Sequence, residues 1–359
     1  MVGSEQQTLG QLRAQFDINL PAGPHGYFAG GAGDERVLRS NETAWHDWHT
    51  HPHVMVDVSD RDHSTTVLGK RMPHPLIAAP TAYHRLAHSG AEPETAVGCG
   101  MADATFTHST LASTRPSEVS TSAPETSKWF QIYMFRDRAI TFDLIDEAVE
   151  TGFEALVLTV DLPVLGRRER DILSSFEVGD AITIPGVAAS GAAGRVSMQD
   201  TADLIDPSLT WADVRDLAGR CELPLLVKGV LRPDDAVESI ANGAAGVVVS
   251  NHGGRQLDSV PPTAHVLDDI AEAVGSTSTV IVDGGIRRGT DVLTAMALGA
   301  DAVMLGRPIL WGLAANGAAG VASVFEIVRD EFDRALALSG CPRADLLKGC
   351  PDIVRPASR

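Results

Sequence analysis

The densest chemistry in the chain lies in nine consecutive residues, Ser250-Asn251-His252-Gly253-Gly254-Arg255-Gln256-Leu257-Asp258. An imidazole exchanges a proton near neutral pH. A guanidinium grips a carboxylate with two parallel hydrogen bonds, and glycines let backbone approach a ligand closely. The stretch follows Gly246-Val247-Val248-Val249, an apolar run that reads as a buried strand. Packing a strand end requires none of these groups, so the set points to a site that holds an anion and moves a proton. The structural alternative is a polar turn that happens to contain a histidine. Against it stand the polar groups that end other apolar runs.

Those runs cover residues 76–79, 104–107, 129–132, 155–159, 225–228, 246–250, 280–283 and 302–305. Helical patterns lie between them. Over 138–149, Ile140, Leu144, Ile145, Ala148 and Val149 share one face and Gly152 is a stop. Over 233–241, Pro233 opens a helix with Asp234 and Asp235 at its dipole-favoured end. Over 290–298, Thr290 is the expected cap. The segments 241–250, 297–306 and, more loosely, 151–159 repeat one pattern of helix end, glycine and buried strand. Eight such units predict an α/β fold, a (β/α)8 TIM barrel. A doubly wound open sheet is the alternative, but Pro80-Thr81-Ala82-Tyr83 stands where its glycine-rich first turn belongs. The reading is one barrel domain over 1–359. An N-terminal helical extension covers 1–70, with Pro21 and Pro24 breaking its first helix, and a long mobile lid loop after strand four covers 171–215, Ala- and Gly-rich over 186–194.

The 359 residues carry a formal net charge of −18, which disfavours nucleic acid and anionic membrane as partners. Residues 4–7 are polar, no apolar run is long enough for a bilayer, and Cys99, Cys221, Cys341 and Cys350 form no CxxC pair. Reduced thiols in a cytoplasmic protein are expected. His46, His49, His51 and His53 lie beside Trp45 and Trp48 without the ligand pattern of a metal site, so no metal is expected.

In a barrel the active site lies at the C-terminal strand ends. Those ends bring Pro80, Thr81, Ala82 and Tyr83; Gln131 and Tyr133; Thr159, Asp161 and Arg168; Lys228; Ser250 and His252; Asp283-Gly284-Gly285-Ile286-Arg287; and Gly306-Arg307. The last two groups match a barrel phosphate pocket. Lys228, among Leu225, Leu226 and Val227, needs an anionic partner or a shifted pKa; Schiff-base chemistry and stabilisation of a bound anionic ring both remain open. Asp161 is the best candidate to orient His252. Cations, an imidazole, and Tyr27 and Tyr133 suit a small carboxylate beside a phosphate-bearing cofactor.

The stretch 250–258 resembles the signature of the FMN-dependent α-hydroxy acid oxidases and dehydrogenases, the family of glycolate oxidase, lactate oxidase and mandelate or hydroxymandelate oxidases. The resemblance extends, in order, through residues 27–32, 80–83, 130–133, 159–161 with 165–169, 226–229, 283–287 and 306–308, which is nearly the whole chain. It implies FMN as cofactor, His252 as the base and Asp161 as the stabiliser of its imidazolium. Arg168, Arg255 and Tyr27 would hold the substrate carboxylate, and Tyr133 the hydroxyl or keto oxygen. Lys228 would face the flavin N1–C2 edge, which removes the Schiff base. Pro80, Thr81, Ala82, Gln131, Thr159 and Ser250 would line the isoalloxazine, joined by Thr107 where the family often has Ser. Asp283, Gly284, Gly285, Arg287, Gly306 and Arg307 would bind the ribityl phosphate. Tyr83, at a position that varies with substrate, resembles the aryl branch, and Ala82 resembles the oxidases.

The implied activity is oxidation of an (S)-2-hydroxy acid, aryl acids such as mandelate included, to the 2-keto acid. O2 would be the acceptor and H2O2 the by-product. A dehydrogenase and a decarboxylating monooxygenase are the flavin-dependent alternatives, and a flavin-free lysine-dependent lyase the distant one. A homo-oligomer, tetramer or octamer, is the family expectation.

Overall fold

Eight short strands close into one parallel barrel: β1 (Leu76–Ala78), β2 (Thr105–Ser109), β3 (Lys128–Ile132), β4 (Ala155–Thr159), β5 (Leu225–Val230), β6 (Gly246–Val249), β7 (Thr279–Val282) and β8 (Ala302–Leu305). Each pairs with its neighbours in sequence, and β8 returns to β1. The computed structural model describes residues 7–174, 176–178 and 198–357. The strands are covered on both faces, which is why they read as near-continuous apolar runs. Alternate residues such as Ile77, Trp129, Val157, Leu226, Val248, Ile281 and Met304 fill the barrel interior. The intervening residues pack outward against the helices. The expected barrel is the observed one, with strand ends agreeing to within one residue except at Ser109 and Val230, each two residues further on.

A hairpin of Thr65–Val67 and Lys70–Met72 plugs the end opposite the site. Its Val67 and Met72 join the inner cluster, and Thr65 Oγ1 donates to the Asp301 carbonyl at 2.9 Å. The extension before the barrel is helical at Leu9–Asn19, Ala22–Ala29 and Arg36–Thr43, and it also supplies Trp48–Thr50, paired antiparallel with Val354–Pro356. The helix break falls before Ala22. Pro24 does not extend it, because Pro24 occupies the first turn of the second helix, where an N–H has no helical partner.

Three expectations change. Thr290 does not cap its helix. Gly289–Ala297 begins after Arg288, and Asp291 Oδ2 accepts from the Arg287 and Arg288 amides at 2.8 and 2.9 Å. Residues 171–215 are not one loop: Glu169–Leu173, Met198–Asp203 and Trp211–Arg220 are helical. The Ala/Gly-rich stretch 186–194 lies outside the described residues. One helix, Arg307–Ser339, is long and apolar enough to cross a bilayer by composition, but 67% of its most apolar window is buried within the protein. It kinks at Asn316 and Gly317, where Glu94 Oε2 accepts from the Ala318 amide at 2.7 Å and starts the helix afresh.

Candidate active site

The C-terminal strand ends surround a cavity whose empty space, open mouth included, is about 1160 Å³. That suffices for a cofactor beside a small substrate. Its polar floor runs across four adjacent strands. Ser109 Oγ donates to Gln131 Oε1 at 3.1 Å, and Gln131 Nε2 donates to Thr159 Oγ1 at 3.0 Å. Thr159 pairs in register with Lys228.

Lys228 Nζ lies 3.0 Å from Asp283 Oδ2 and donates to Ser250 Oγ at 2.8 Å. Burial lowers the lysine pKa, but Asp283 and Asp161 outweigh it and hold the value above the ordinary one. The anionic partner sought for Lys228 is therefore Asp283, and the lysine stays an ammonium, which is not a Schiff-base nucleophile. Asp283 is not a phosphate ligand: a carboxylate repels phosphate. Its Oδ1 is buried with no hydrogen-bond partner among the described residues, an acceptor suited to a hydroxyl. Ser250 does not line the cavity. It sits behind, also accepting from the His252 amide at 3.1 Å.

His252 Nδ1 lies 2.8 Å from Asp161 Oδ1. Burial pushes the His252 pKa below the usual range, with Asp161 opposing. Burial raises Asp161, yet His252 and Lys228 bring it below the usual carboxylate value. A neutral ring with its Nδ1–H on a carboxylate leaves Nε2 as a free base facing the cavity. This approach depends on Gly229: a Cβ there, at φ +111°, would lie 2.6 Å from the Asp161 Cβ.

Gln256, a signature residue given no role from sequence, ties the two loops together. Its Nε2 donates to the Asp161 and Val164 carbonyls at 2.9 and 3.0 Å, and its Oε1 accepts from the Gly166 amide at 3.1 Å. Arg168 follows, donating through Nε to the Arg255 carbonyl at 3.3 Å. Burial and the like charge of Arg255 push Arg168 down to about 10. Arg255 lies over the Tyr27 ring, 4.6 Å from its centroid, and donates to the Tyr27 and Gly30 carbonyls. The extension thus completes the site. Asp258 fixes it in turn by accepting from the Arg36 and Val37 amides at 3.1 and 2.9 Å.

At the other end, Arg307 donates to the Phe28, Gly253 and Gly30 carbonyls. Burial, Arg255 and Arg287 push it down to about 9. Arg287 Nη2 contacts Glu42 at 2.8 Å while its Nε is buried without a hydrogen-bond partner among the described residues. Gly284 and Gly285 adopt φ of +98° and +80°, and a Cβ at Gly285 would lie 1.9 Å from the Asn41 carbonyl oxygen. A backbone cradle beside crowded, buried cations is a site for an anion.

Besides Ser250, two assignments fail on position. Thr107 does not line the cavity: it faces the barrel interior beside Trp129, its hydroxyl without a partner among the described residues. The hydroxyl at the mouth is Ser109, two residues on. Tyr83 is fully buried in left-handed backbone, φ 60°, behind Tyr27, with ring centroids 5.5 Å apart. It backs the wall rather than forming it. Tyr27, Pro80, Thr81, Ala82, Gln131, Tyr133, Thr159, Arg168, Lys228, His252, Arg255, Asp283, Gly284, Gly285, Arg287, Gly306 and Arg307 do line the cavity, whereas Asp161 reaches it only through His252. Burial raises the Tyr133 hydroxyl above its ordinary range and keeps it protonated. The loops 108–115 and 171–215, expected from sequence to wall the pocket, supply Leu111, Ala202 and Ile205; with Leu162 and Leu165 these form an apolar wall that no residue-level assignment anticipated.

Residues 17–350 match the family model described as FMN-dependent dehydrogenase. The chain belongs to that family. A family member's cofactor is FMN, and the site fits it: an anion cradle at one end, an unpaired acceptor on Asp283, and an ammonium held beside a polar floor. Among relatives, glycolate oxidase 1 of Zea mays is 43% identical over 333 residues, 90% of this chain and 89% of its own. The 2-hydroxyacid oxidase 1 of Homo sapiens is 40% identical over 337 residues, 91% of each chain. A mandelate oxidase solved with (S)-2-phenylpropionate superposes with a TM-score of 0.86 at 35% identity, covering 97% of each chain.

Proposed function

We propose that this family member oxidises a 2-hydroxy acid to the 2-keto acid, with O2 as the electron acceptor and H2O2 as product. The observation that carries the reading is His252 Nε2, freed by the Asp161 contact, in one cavity with Arg168 and Arg255. The two guanidinium groups bind the carboxylate, Tyr27 and Tyr133 flank it, and His252 takes a proton from the carbon-bound hydroxyl. Asp161 then faces an imidazolium. Pro80, Thr81, Ala82, Ser109, Gln131, Thr159 and Lys228 would hold the flavin ring, and Gly284, Gly285, Arg287, Gly306 and Arg307 its phosphate. FMN supplies the two-electron acceptor when bound.

The purified protein is expected to be yellow, to bleach anaerobically with a 2-hydroxy acid, and to release one peroxide per turnover in air. A colourless chain that takes up no FMN sinks the proposal, and CO2 in place of peroxide redirects it to a monooxygenase.

The apolar wall sets a preference for substrates with an apolar side chain. kcat/KM for a branched aliphatic or aryl 2-hydroxy acid should exceed that for glycolate by at least about tenfold, given ~1–3 kcal/mol per well-filled methylene. Equal values across the panel would remove this preference. We also propose a homo-oligomer, tested by light scattering, and a reducing compartment, in keeping with free thiols at all four cysteines.

A further inference from the structure

Behind the cavity lies a buried polar cluster that the proposed chemistry does not use. Glu92 is fully buried. Its Oε1 accepts from the His84 amide at 3.0 Å, the Ser113 amide at 2.8 Å and Ser113 Oγ at 3.1 Å, and its Oε2 accepts from Thr114 Oγ1 at 3.0 Å. Burial raises its pKa, but the nearby His84 and His108 and the Ser113 amide hold it below the usual carboxylate value. Four donors on one buried carboxylate fix the turn that carries His84.

The His84 ring bridges this cluster to the cavity. Its Nδ1 lies 2.8 Å from Thr95 Oγ1, and its Nε2 lies 2.5 Å from Thr81 Oγ1. Thr81 lines the cavity. Burial pushes His84 below the ordinary histidine range, so the ring is neutral and has a single N–H. Thr95 Oγ1 also lies 3.4 Å from the Ala91 carbonyl, an acceptor for its hydroxyl proton, which leaves Thr95 able to accept from Nδ1–H. With the ring proton on Nδ1, Nε2 is an acceptor and the proton between it and Thr81 is Thr81's own. In that tautomer the Thr81 hydroxyl offers lone pairs to the cavity and no donor.

We propose that His84 holds its proton on Nδ1 and is thereby a positioning residue that makes Thr81 an acceptor-only group toward the flavin and favours the reduced cofactor. A flavin gains a ring N–H on two-electron reduction, so an acceptor that has no proton to give distinguishes the two states. The inference rests on the flavin reading above. The other tautomer would make Thr81 a donor into the cavity and favour the oxidised ring.

The test is the two-electron reduction potential of the FMN holoenzyme, by equilibration with a reference dye, for wild type, Thr81→Val, His84→Phe, the double variant and His84→Gln. Thr81→Val and His84→Phe should each weaken the preference for reduced over oxidised FMN by about tenfold, a potential more negative by about 30 mV. The double variant should shift no further than either single one. His84→Gln, whose amide oxygen accepts the same proton, should restore most of the value. An unmoved potential, a positive shift, or additive shifts overturn the inference. If His84→Phe does not fold, Thr81→Val alone decides the sign. A wild-type chain that binds no flavin overturns the proposed function and this inference together, whereas a flavin-loaded enzyme indifferent to both substitutions overturns only the inference.

Discussion

His252→Asn is expected to keep FMN bound while slowing its reduction by a 2-hydroxy acid by about 10²–10⁴-fold, the usual contribution of a positioned general base. Asparagine is the informative replacement because His252 has φ 56°, a left-handed conformation that asparagine tolerates and most residues do not. The backbone, the Ser250 contact to the 252 amide and the neighbouring Gly253 turn should survive. Stopped-flow bleaching under anaerobic conditions gives the rate, and the absorbance of the resting protein gives FMN content. Loss of FMN instead would make His252 structural.

The pH profile carries a second sign. The base acts only when neutral, so kcat/KM rises with pH through the free-enzyme His252 pKa. Burial places that pKa below the ordinary histidine value despite Asp161. The acid limb should therefore lie below pH 6.5 and disappear in His252→Asn. A limb at or above the ordinary value would mean that Asp161 dominates.

Lys228→Met is expected to lower stability by about 3–5 kcal/mol, the cost of stripping the partner from a buried charge. Asp283 and Asp161 both depend on this ammonium, and Asp283 contacts it at 3.0 Å. Denaturant unfolding measures the loss, and FMN affinity should fall with it. Adding Asp283→Asn should recover a large part of the stability, because it removes the uncompensated carboxylate; no recovery would locate the cost in packing. Lys228 titrates above its unfolded value, so its contribution is complete below pH about 10.5 and fades only as pH rises through the folded pKa.

Much of this was legible in the sequence. The barrel followed from eight apolar runs separated by helical patterns, because parallel strands buried on both faces leave a strong apolar signal. His252, Asp161 and Arg168 followed from the rule that function gathers at C-terminal strand ends. What escaped depended on where a strand stops. Side chains alternate between faces, so choosing the hydroxyl that reaches the mouth means choosing the strand's last inward residue. β2 continues to Ser109, and Thr107 is left one inward step below. Tyr83 was misplaced because a left-handed turn sends its ring behind Tyr27. The apolar wall comes from loops and from the helix Met198–Asp203, whose docking no local pattern announces. Asp283 was given to phosphate because its contact with Lys228 spans the intervening strand β6.

That contact has a consequence for the base. Asp161, Lys228 and Asp283 form a buried row of alternating sign that ends on the neutral His252 ring. Two carboxylates against one ammonium leave a single excess negative charge before the reaction. When His252 takes up a proton, the row becomes electrically neutral. The resting excess charge of this row thus opposes the burial that keeps His252 neutral, and that opposition is in place before any substrate arrives to surrender its proton.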